Sequence, residues 1–385
     1  MSSCNICGEN IAKVIDLPQL PFTGEFRKPN EPIDKSCRDQ AFYYCESCGH
    51  GQLENSARPE DVYKDTYLFR SAESKTSRSG CDFFINFLRL FFPKMSFNRI
   101  VEFGCNDCYA LKKLKGAEVK LLGVDLIFAD KKNYIDDSEI MIAGKSIENT
   151  DFSLYFNESP DFVFSRHTME HILSPRTVIE KLFSMTSEDT IFAFEFPCLD
   201  ILLKNGRFDQ IFHQHVNYYS EASFLKLMED AGAEVIGSCK NWTLWGALIV
   251  IVRKKGKKTG SRKYNALRSI NDIAIKYALF QKQMEICGTF MNGSEALYGF
   301  GAAQMLPVLK YHLGESFSNL KWIFDDDPAK AGLKYKNLDL KICSPDKIDF
   351  SKKDILLTAL DSSRMLMCRL ASLNPRRIIN PLNVM

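Results

Sequence analysis

Apolar side chains at Phe83, Phe84, Phe87, Leu88 and Phe91 recur at the three-and-four spacing of one helical face, and the pattern stops at Pro93. Beyond it, short apolar runs alternate with helical stretches. The predicted strands are Arg99 to Phe103, Lys120 to Asp125, Asp161 to Ser165, Thr190 to Glu195 and Ala247 to Arg253. Such alternation predicts a doubly wound α/β sheet. A Lys, Gly and Ser stretch from Arg253 to Tyr264 reads as a linker, and a long helical pattern, Ala266 to Phe290, follows it. A second α/β unit then begins, with strands at Ala296 to Gly299, Lys321 to Asp325, Ile355 to Leu357 and Arg377 to Ile379. The first segment, up to about Ser71, has only short apolar runs such as Ala41 to Tyr44 and is too thin to fold without help. The pattern thus divides the chain into residues 1–71, 72–262 and 263–385.

Composition narrows the class. The chain has 385 residues, enough for two or three domains, and is 45% hydrophobic with 29 Phe, the make-up of an aromatic-rich globular enzyme. Its net charge of +2 offers no basic face for nucleic acid, and Lys254 to Lys258 is a short run mixed with Gly. No stretch reaches the length of a membrane span, and Met1 leads straight into Ser2, Ser3 and Cys4 without a charged-then-apolar signal. A cytoplasmic protein is expected, a monomer or a weak homo-oligomer.

Thirteen Cys in such a chain favour a metal site over a disulfide framework. Cys4 and Cys7, with Cys45 and Cys48, form two CxxC knuckles, each followed at once by Gly8 or Gly49. Four thiolates on such turns make a closed tetrahedral zinc site, which stabilises a fold and leaves no position for water activation. Cys105 and Cys108 share the spacing but lie on a turn after a strand, where a ligand loop is expected.

That turn, Ile100-Val-Glu-Phe-Gly-Cys-Asn-Asp-Cys108, ends an apolar strand in Glu102 and Gly104 and presents backbone at the strand's carboxyl end. It lacks the three glycines of a dinucleotide loop, so S-adenosylmethionine is the better candidate. Glu102, Gly104, Asn106 and Asp107 are candidate cofactor contacts, with His167 on the segment after a later strand. Asp125, ending the next strand, is placed to accept ribose hydroxyls or, alternatively, to cap the following helix.

With these features and the segment Glu195-Phe-Pro197 through Phe208-Asp-Gln-Ile-Phe-His-Gln-His-Val-Asn-Tyr-Tyr-Ser220 in view, the chain resembles the sugar C-methyltransferases. These enzymes build branched-chain deoxysugars from 4-keto-6-deoxyhexoses carried on dTDP or another nucleotide. The resemblance implies a zinc-binding N-terminal domain, a Rossmann-like S-adenosylmethionine-binding central domain and a C-terminal Rossmann-like domain that helps hold the nucleotide sugar. It implies that His215 is the base that forms the enolate, and that His213, Gln214 and Tyr67 belong to the catalytic set. Phe212, Tyr219, Gly299 and Gly301 are the implied substrate contacts.

Several positions depart from the family's pattern. Phe212 and Gln214 stand where it has Tyr and Glu, Cys108 where it usually has Gly, Phe69 where a second Tyr is common, and Gln304-Met305 where a turn ends in Lys-Gly. Gln cannot take up a proton and Phe cannot donate a hydrogen bond to an enolate. Two further functions therefore compete with methyl transfer: a sugar epimerase or isomerase using the same enolate, and a non-catalytic sugar-nucleotide-binding protein.

Overall fold

Ser74 starts the first helix of the central region, Lys75–Phe91, by accepting the Ser77 amide at its side chain. Cys81, Phe84, Ile85 and Leu88 form the buried stripe of that helix. The computed structural model describes residues 3–23, 25–54, 70–94, 96–129, 137–242, 246–254 and 266–382. These residues build two compact units. One comprises Met1–Lys13, Tyr43–Ile201 and Gln214–Ile270, and the other Val14–Phe42, Leu202–His213 and Asn271–Met385.

This grouping differs from the linear division at residues 71 and 262. Cys4, Ile6, Cys45 and Cys48 pack into the same apolar core as the central sheet, so the knuckles belong to its unit. The strand Ala12–Pro21 and most of Cys37–Tyr44 go instead with the C-terminal residues.

In the first unit seven strands make one sheet. Across it lie Ile140–Ala143, Lys120–Val124, Arg99–Phe103, Phe162–Arg166, Ile191–Pro197, Ala247–Lys254 and Ala233–Asn241. Counted in chain order this reads 3-2-1-4-5-7-6, with the last two strands antiparallel to their neighbours. The order reverses between Arg99–Phe103 and Phe162–Arg166, and a ligand crevice is expected at the carboxyl ends of strands at such a switch.

Alternation along the strands supplies both faces. Val101, Phe103, Val163, Phe194 and Val250 meet the helices Pro175–Ser184 and Glu221–Asp230 on one side. Ile100, Phe162, Phe164, Ile249 and Ile251 meet Lys75–Phe91 on the other. The Phe excess has its use here: Phe162 and Phe164 stack at 5.3 Å, and Phe84 sits 5.6 Å from Phe164.

The second unit repeats the plan with five parallel strands, Ile342–Cys343, Leu320–Phe324, Leu297–Phe300, Asp354–Leu357 and Arg377–Ile379. Its chain order is 3-2-1-4-5. The predicted long helix is present as Ile270–Asn292. The α/β class expected from the sequence therefore holds for both units.

Asp354 fixes the edge of this second sheet. Its fully buried side chain accepts Arg376 Nε at 2.8 Å and Arg377 Nη2 at 2.7 Å. Burial would raise its carboxyl, but hydrogen bonds from Arg376, Ser294 and Arg377 outweigh that and hold it at about 2. A depressed folded-state value stabilises the fold above the unfolded carboxylate range, near pH 4, and the gain disappears as pH falls toward 2. Both guanidinium groups are partly exposed, so water screens the pair and the contribution is roughly 1–2 kcal/mol. Asp354→Asn should lower the melting temperature at pH 7 and remove this part of the acid sensitivity below pH 4, as read by thermal melts across pH.

Candidate functional site

The two knuckles are copies of one turn. Gly8 donates to the Cys4 carbonyl at 3.0 Å and Gly49 to the Cys45 carbonyl at 2.8 Å, both glycines with positive φ, +78° and +79°. The four sulfurs lie within 4.8 Å of one another, with Cys4 Sγ to Cys48 Sγ at 3.7 Å and Cys7 Sγ to Cys45 Sγ at 3.5 Å. Sulfurs sharing a tetrahedral zinc at about 2.3 Å stand roughly 3.8 Å apart, so the donor set fits that ion. Such a centre holds structure only.

Hydrogen bonds run from this centre to the segment around His215. Strand Gly51–Leu53, just after the second knuckle, pairs antiparallel with Asn217–Tyr218. Asn217 Oδ1 receives His50 Nε2 at 3.1 Å and Asn5 Nδ2 at 3.3 Å, while its Nδ2 donates to the Ile172 carbonyl at 2.6 Å. Asn5 and His50 are therefore the links between metal knuckles and the chemistry-bearing stretch.

At the switch point the predicted cofactor loop is wound through left-handed conformations at Gly104, Asn106 and Cys108, with φ of +69°, +48° and +59°. A Cβ on Gly104 would run into the Thr168 hydroxyl, so the loop after the fourth strand crosses where only glycine leaves room. Asp125 ties the turn down by accepting Asn106 N at 2.8 Å and Ile127 N at 3.1 Å. It thereby caps the 3-10 turn Leu126–Phe128 as well, the alternative role that its position allowed. Asn106 Oδ1 receives the Ser71 amide at 3.2 Å and Asp107 Oδ2 the Ala72 amide at 2.7 Å, so both shape the loop. Glu102 is buried, its Oε2 makes no hydrogen bond among the described residues, and burial lifts its carboxyl well above the usual range.

The second CxxC is packed away. Cys105 and Cys108 are buried, and a Cβ on Gly123 would lie 2.8 and 3.0 Å from their sulfurs. Those thiols fill the space under the loop.

A Gly104→Ala change should cost about 1–3 kcal/mol from the positive φ and the clash with Thr168. It should also weaken binding of S-adenosylhomocysteine by tenfold or more in calorimetry.

Beside the loop, the segment from Arg166 to His171 gathers ionisable groups. Arg166 Nε donates to Glu195 Oε2 at 2.6 Å, a buried pair that holds the strand end. His167, in the left-handed region at φ +50°, donates its amide to the Glu195 carbonyl at 2.7 Å. Its Nδ1 lies 3.6 Å from Glu170 Oε1, and His215 Nε2 lies 3.9 Å from the same oxygen. The His171 and His215 rings meet edge on, with centroids 4.9 Å apart, and His171 Nδ1 bonds the Gln214 carbonyl at 2.7 Å. Burial, then the nearby His171 and His167, push His215 well below its ordinary value. Burial raises Glu170 to about 7.

Glu170 was not singled out by the sequence, although its neighbours His167 and His171 were. The signal available was the spacing His-x-x-Glu-His, which a 3-10 turn, Met169–His171, folds onto one spot.

Other expected site residues are engaged elsewhere. His213 lies in the second unit, where its Nε2 donates to the Leu20 carbonyl at 2.9 Å and its Nδ1 faces Gln40 Nε2 at 3.3 Å. Phe212 is buried in the same unit. Tyr219 is fully buried in the first unit and donates to the Met169 carbonyl at 3.1 Å. A Cβ on Gly299 would lie 3.0 Å from the Ile323 and Thr358 side chains, and Gly301, at φ +99°, donates to the Phe324 carbonyl at 2.8 Å. Asp325 accepts the Ala302 and Asp327 amides there, as Asp125 does in the first unit. Tyr67 lies outside the described residues.

Family models match two stretches: residues 74–237 match the methyltransferase domain, and residues 4–63 match a zinc binding domain. The chain thus carries a methyltransferase domain of the S-adenosylmethionine-dependent kind behind a zinc-binding domain. It is similar to the C-methyltransferase NovU of Streptomyces niveus, 30% identical over 139 residues, which cover 36% of this chain and 33% of NovU. The match spans about a third of that relative's length. Among solved structures, it is similar to the N-methyltransferase NodS of Bradyrhizobium japonicum in complex with S-adenosyl-l-homocysteine, at 14% identity and a TM-score of 0.35, covering 50% of this chain and 92% of that one. It is also similar to magnesium protoporphyrin IX methyltransferase of Synechocystis with bound S-adenosylhomocysteine, at 14% identity and a TM-score of 0.35, covering 47% and 84%. Among the described residues no helix is long and apolar enough to cross a membrane.

Proposed function

We propose that this chain methylates a carbon of a 4-keto-6-deoxy sugar linked to dTDP or another nucleotide, by forming an enolate, and that it works in the cytoplasm. One observation carries the reading: His215 sits beside Glu170 and His171, which lie on the segment that crosses the cofactor loop at Gly104. The resemblance to sugar C-methyltransferases and the likeness to NovU support the choice of carbon as the methyl acceptor.

A C–H next to a ketone gives up its proton only to a placed base, with the enolate oxygen stabilised. Burial keeps His215 neutral and therefore able to accept that proton at Nε2. The Glu170 carboxylate, 3.9 Å away, then faces the imidazolium and stabilises it. Gln214 cannot share the proton, so His215 carries the step alone, with His171 held in place by the Gln214 carbonyl.

S-adenosylmethionine supplies an electrophilic methyl when bound. Asp125 offers carboxylate oxygens to its polar groups and Glu102 a buried carboxyl, Gly104 lets the Thr168 segment close over the turn, and Asn106, Asp107 and His167 keep the turn in shape. Tyr67 orders the base or the sugar in this reading, and Tyr219, bonded to the Met169 carbonyl, shapes the surroundings of His215.

The enolate step is read directly by deuterium. In D2O without a methyl donor, a nucleotide-linked 4-keto-6-deoxyhexose should exchange the hydrogen next to its ketone in the presence of the protein. No exchange above the protein-free rate would rule out this reading for that sugar.

A further inference from the structure

The four-cysteine centre is not the only metal-like constellation in the first unit. Glu170, His171 and His215 each bring one ligand atom to a point where all three lie within 4.8 Å of one another. Glu170 is 1% exposed, and neither of its carboxylate oxygens has a hydrogen-bond partner among the described residues. A buried carboxylate without hydrogen-bond partners is costly, which makes it an acceptor for a cation.

The distances separate two explanations. His215 Nε2, at 3.9 Å from Glu170 Oε1, is too far for a hydrogen bond. Two ligand atoms that share one ion with bonds of about 2.1 Å stand roughly 3.0–3.5 Å apart, so a contraction of about half an ångström brings this pair onto an ion. The orientation of His171 agrees. Its Nδ1 is committed to the Gln214 carbonyl at 2.7 Å, leaving Nε2 as the basic nitrogen, and an outer carbonyl that fixes the tautomer is the usual support of a metal-bound histidine.

We infer that Glu170, His171 and His215 form a second metal site, which takes a divalent transition ion of the zinc class through two imidazoles and a carboxylate. Nitrogen and carboxylate donors suit zinc, cobalt or nickel and disfavour magnesium and calcium. This part rests on geometry alone. A second consequence rests on the proposed role of His215: a lone pair given to a metal cannot take a proton, so loading this site stops enolate formation.

The test is the number of zinc ions held by the full chain after equilibrium dialysis against Zn2+, measured by elemental analysis. Two per chain are expected, and Glu170→Gln should hold one, the four-cysteine ion. If Glu170→Gln fails to give a cooperative melt, His171→Asn replaces it with the same expected count. A wild-type chain that binds only one, or variants that keep two, would overturn the site. Zn2+ in excess should also abolish deuterium exchange into the keto-sugar, with full recovery when a mild chelator withdraws one ion. Undiminished exchange at two ions per chain would overturn the competition, whereas a chain that holds two ions yet never exchanges any sugar would count against the proposed substrate and leave the metal site standing.

Discussion

His215→Asn should reduce methyl transfer by about 10²- to 10⁴-fold, the usual contribution of a positioned proton acceptor. Asn fills similar space and keeps a hydrogen-bonding end, but it cannot accept a proton near neutral pH. Donor binding should be unaffected, because Gly104, Asp125 and Glu102 are untouched. Steady-state rates together with calorimetric titration of S-adenosylhomocysteine separate the two effects. A variant with wild-type turnover would remove His215 from the chemistry, and one that lost donor binding and turnover together would make its role structural.

The second large effect is expected from the metal knuckles. Zinc binding by paired knuckles of this kind is worth on the order of 10 kcal/mol, most of it as folding free energy. Here Cys4, Cys45 and Cys48 are also part of the apolar core of the methyltransferase sheet, alongside Phe194, Phe196 and Phe224, and Cys7 packs against it. Cys45→Ser should therefore lower the melting temperature by well over 10 °C, since ~1 kcal/mol already moves a domain of this size by about 2–4 °C. Activity should fall with it, for a specific reason. Asn5 and His50, next to the knuckles, hold Asn217, and Asn217 anchors the strand two residues beyond His215. Asn217→Ala should accordingly lower turnover while zinc content stays at the wild-type value, as checked by elemental analysis and initial rates.

Much of the fold was legible because its strands are buried on both faces. Ala247–Lys254 and Ile191–Pro197 read as continuous apolar runs, and both lie inside the sheet. The strands missed are those with little apolar signal: Ala233–Asn241 at the sheet edge is mostly half-buried, and Ile140–Ala143 alternates only weakly. The N-terminal strands escaped for another reason. Ala12–Pro21 buries only Ile15, Leu17 and Leu20, so its apolar content is thin along the chain.

The zinc site was legible from spacing, since two CxxC turns with following glycines leave few other arrangements. The turn at the switch point was legible in part, through Gly104 and Asp125. Glu170 was not, because its meaning depends on His215, 45 positions later in the chain and brought beside it by the Val216 amide donating to the Glu170 carbonyl at 2.8 Å. The resemblance put His213 in the catalytic set with His215, yet the chain passes between units at that point, and His213 is bonded to Leu20 and Gln40.

The mass of the sugar product decides the matter most directly. Incubated with S-adenosylmethionine and a nucleotide-linked 4-keto-6-deoxyhexose, the protein should return a sugar heavier by one methyl group, attached at carbon, and nothing heavier when the donor is left out. A sugar recovered at its original mass, rearranged or unchanged, while the donor is bound would contradict carbon methylation as the function of this chain.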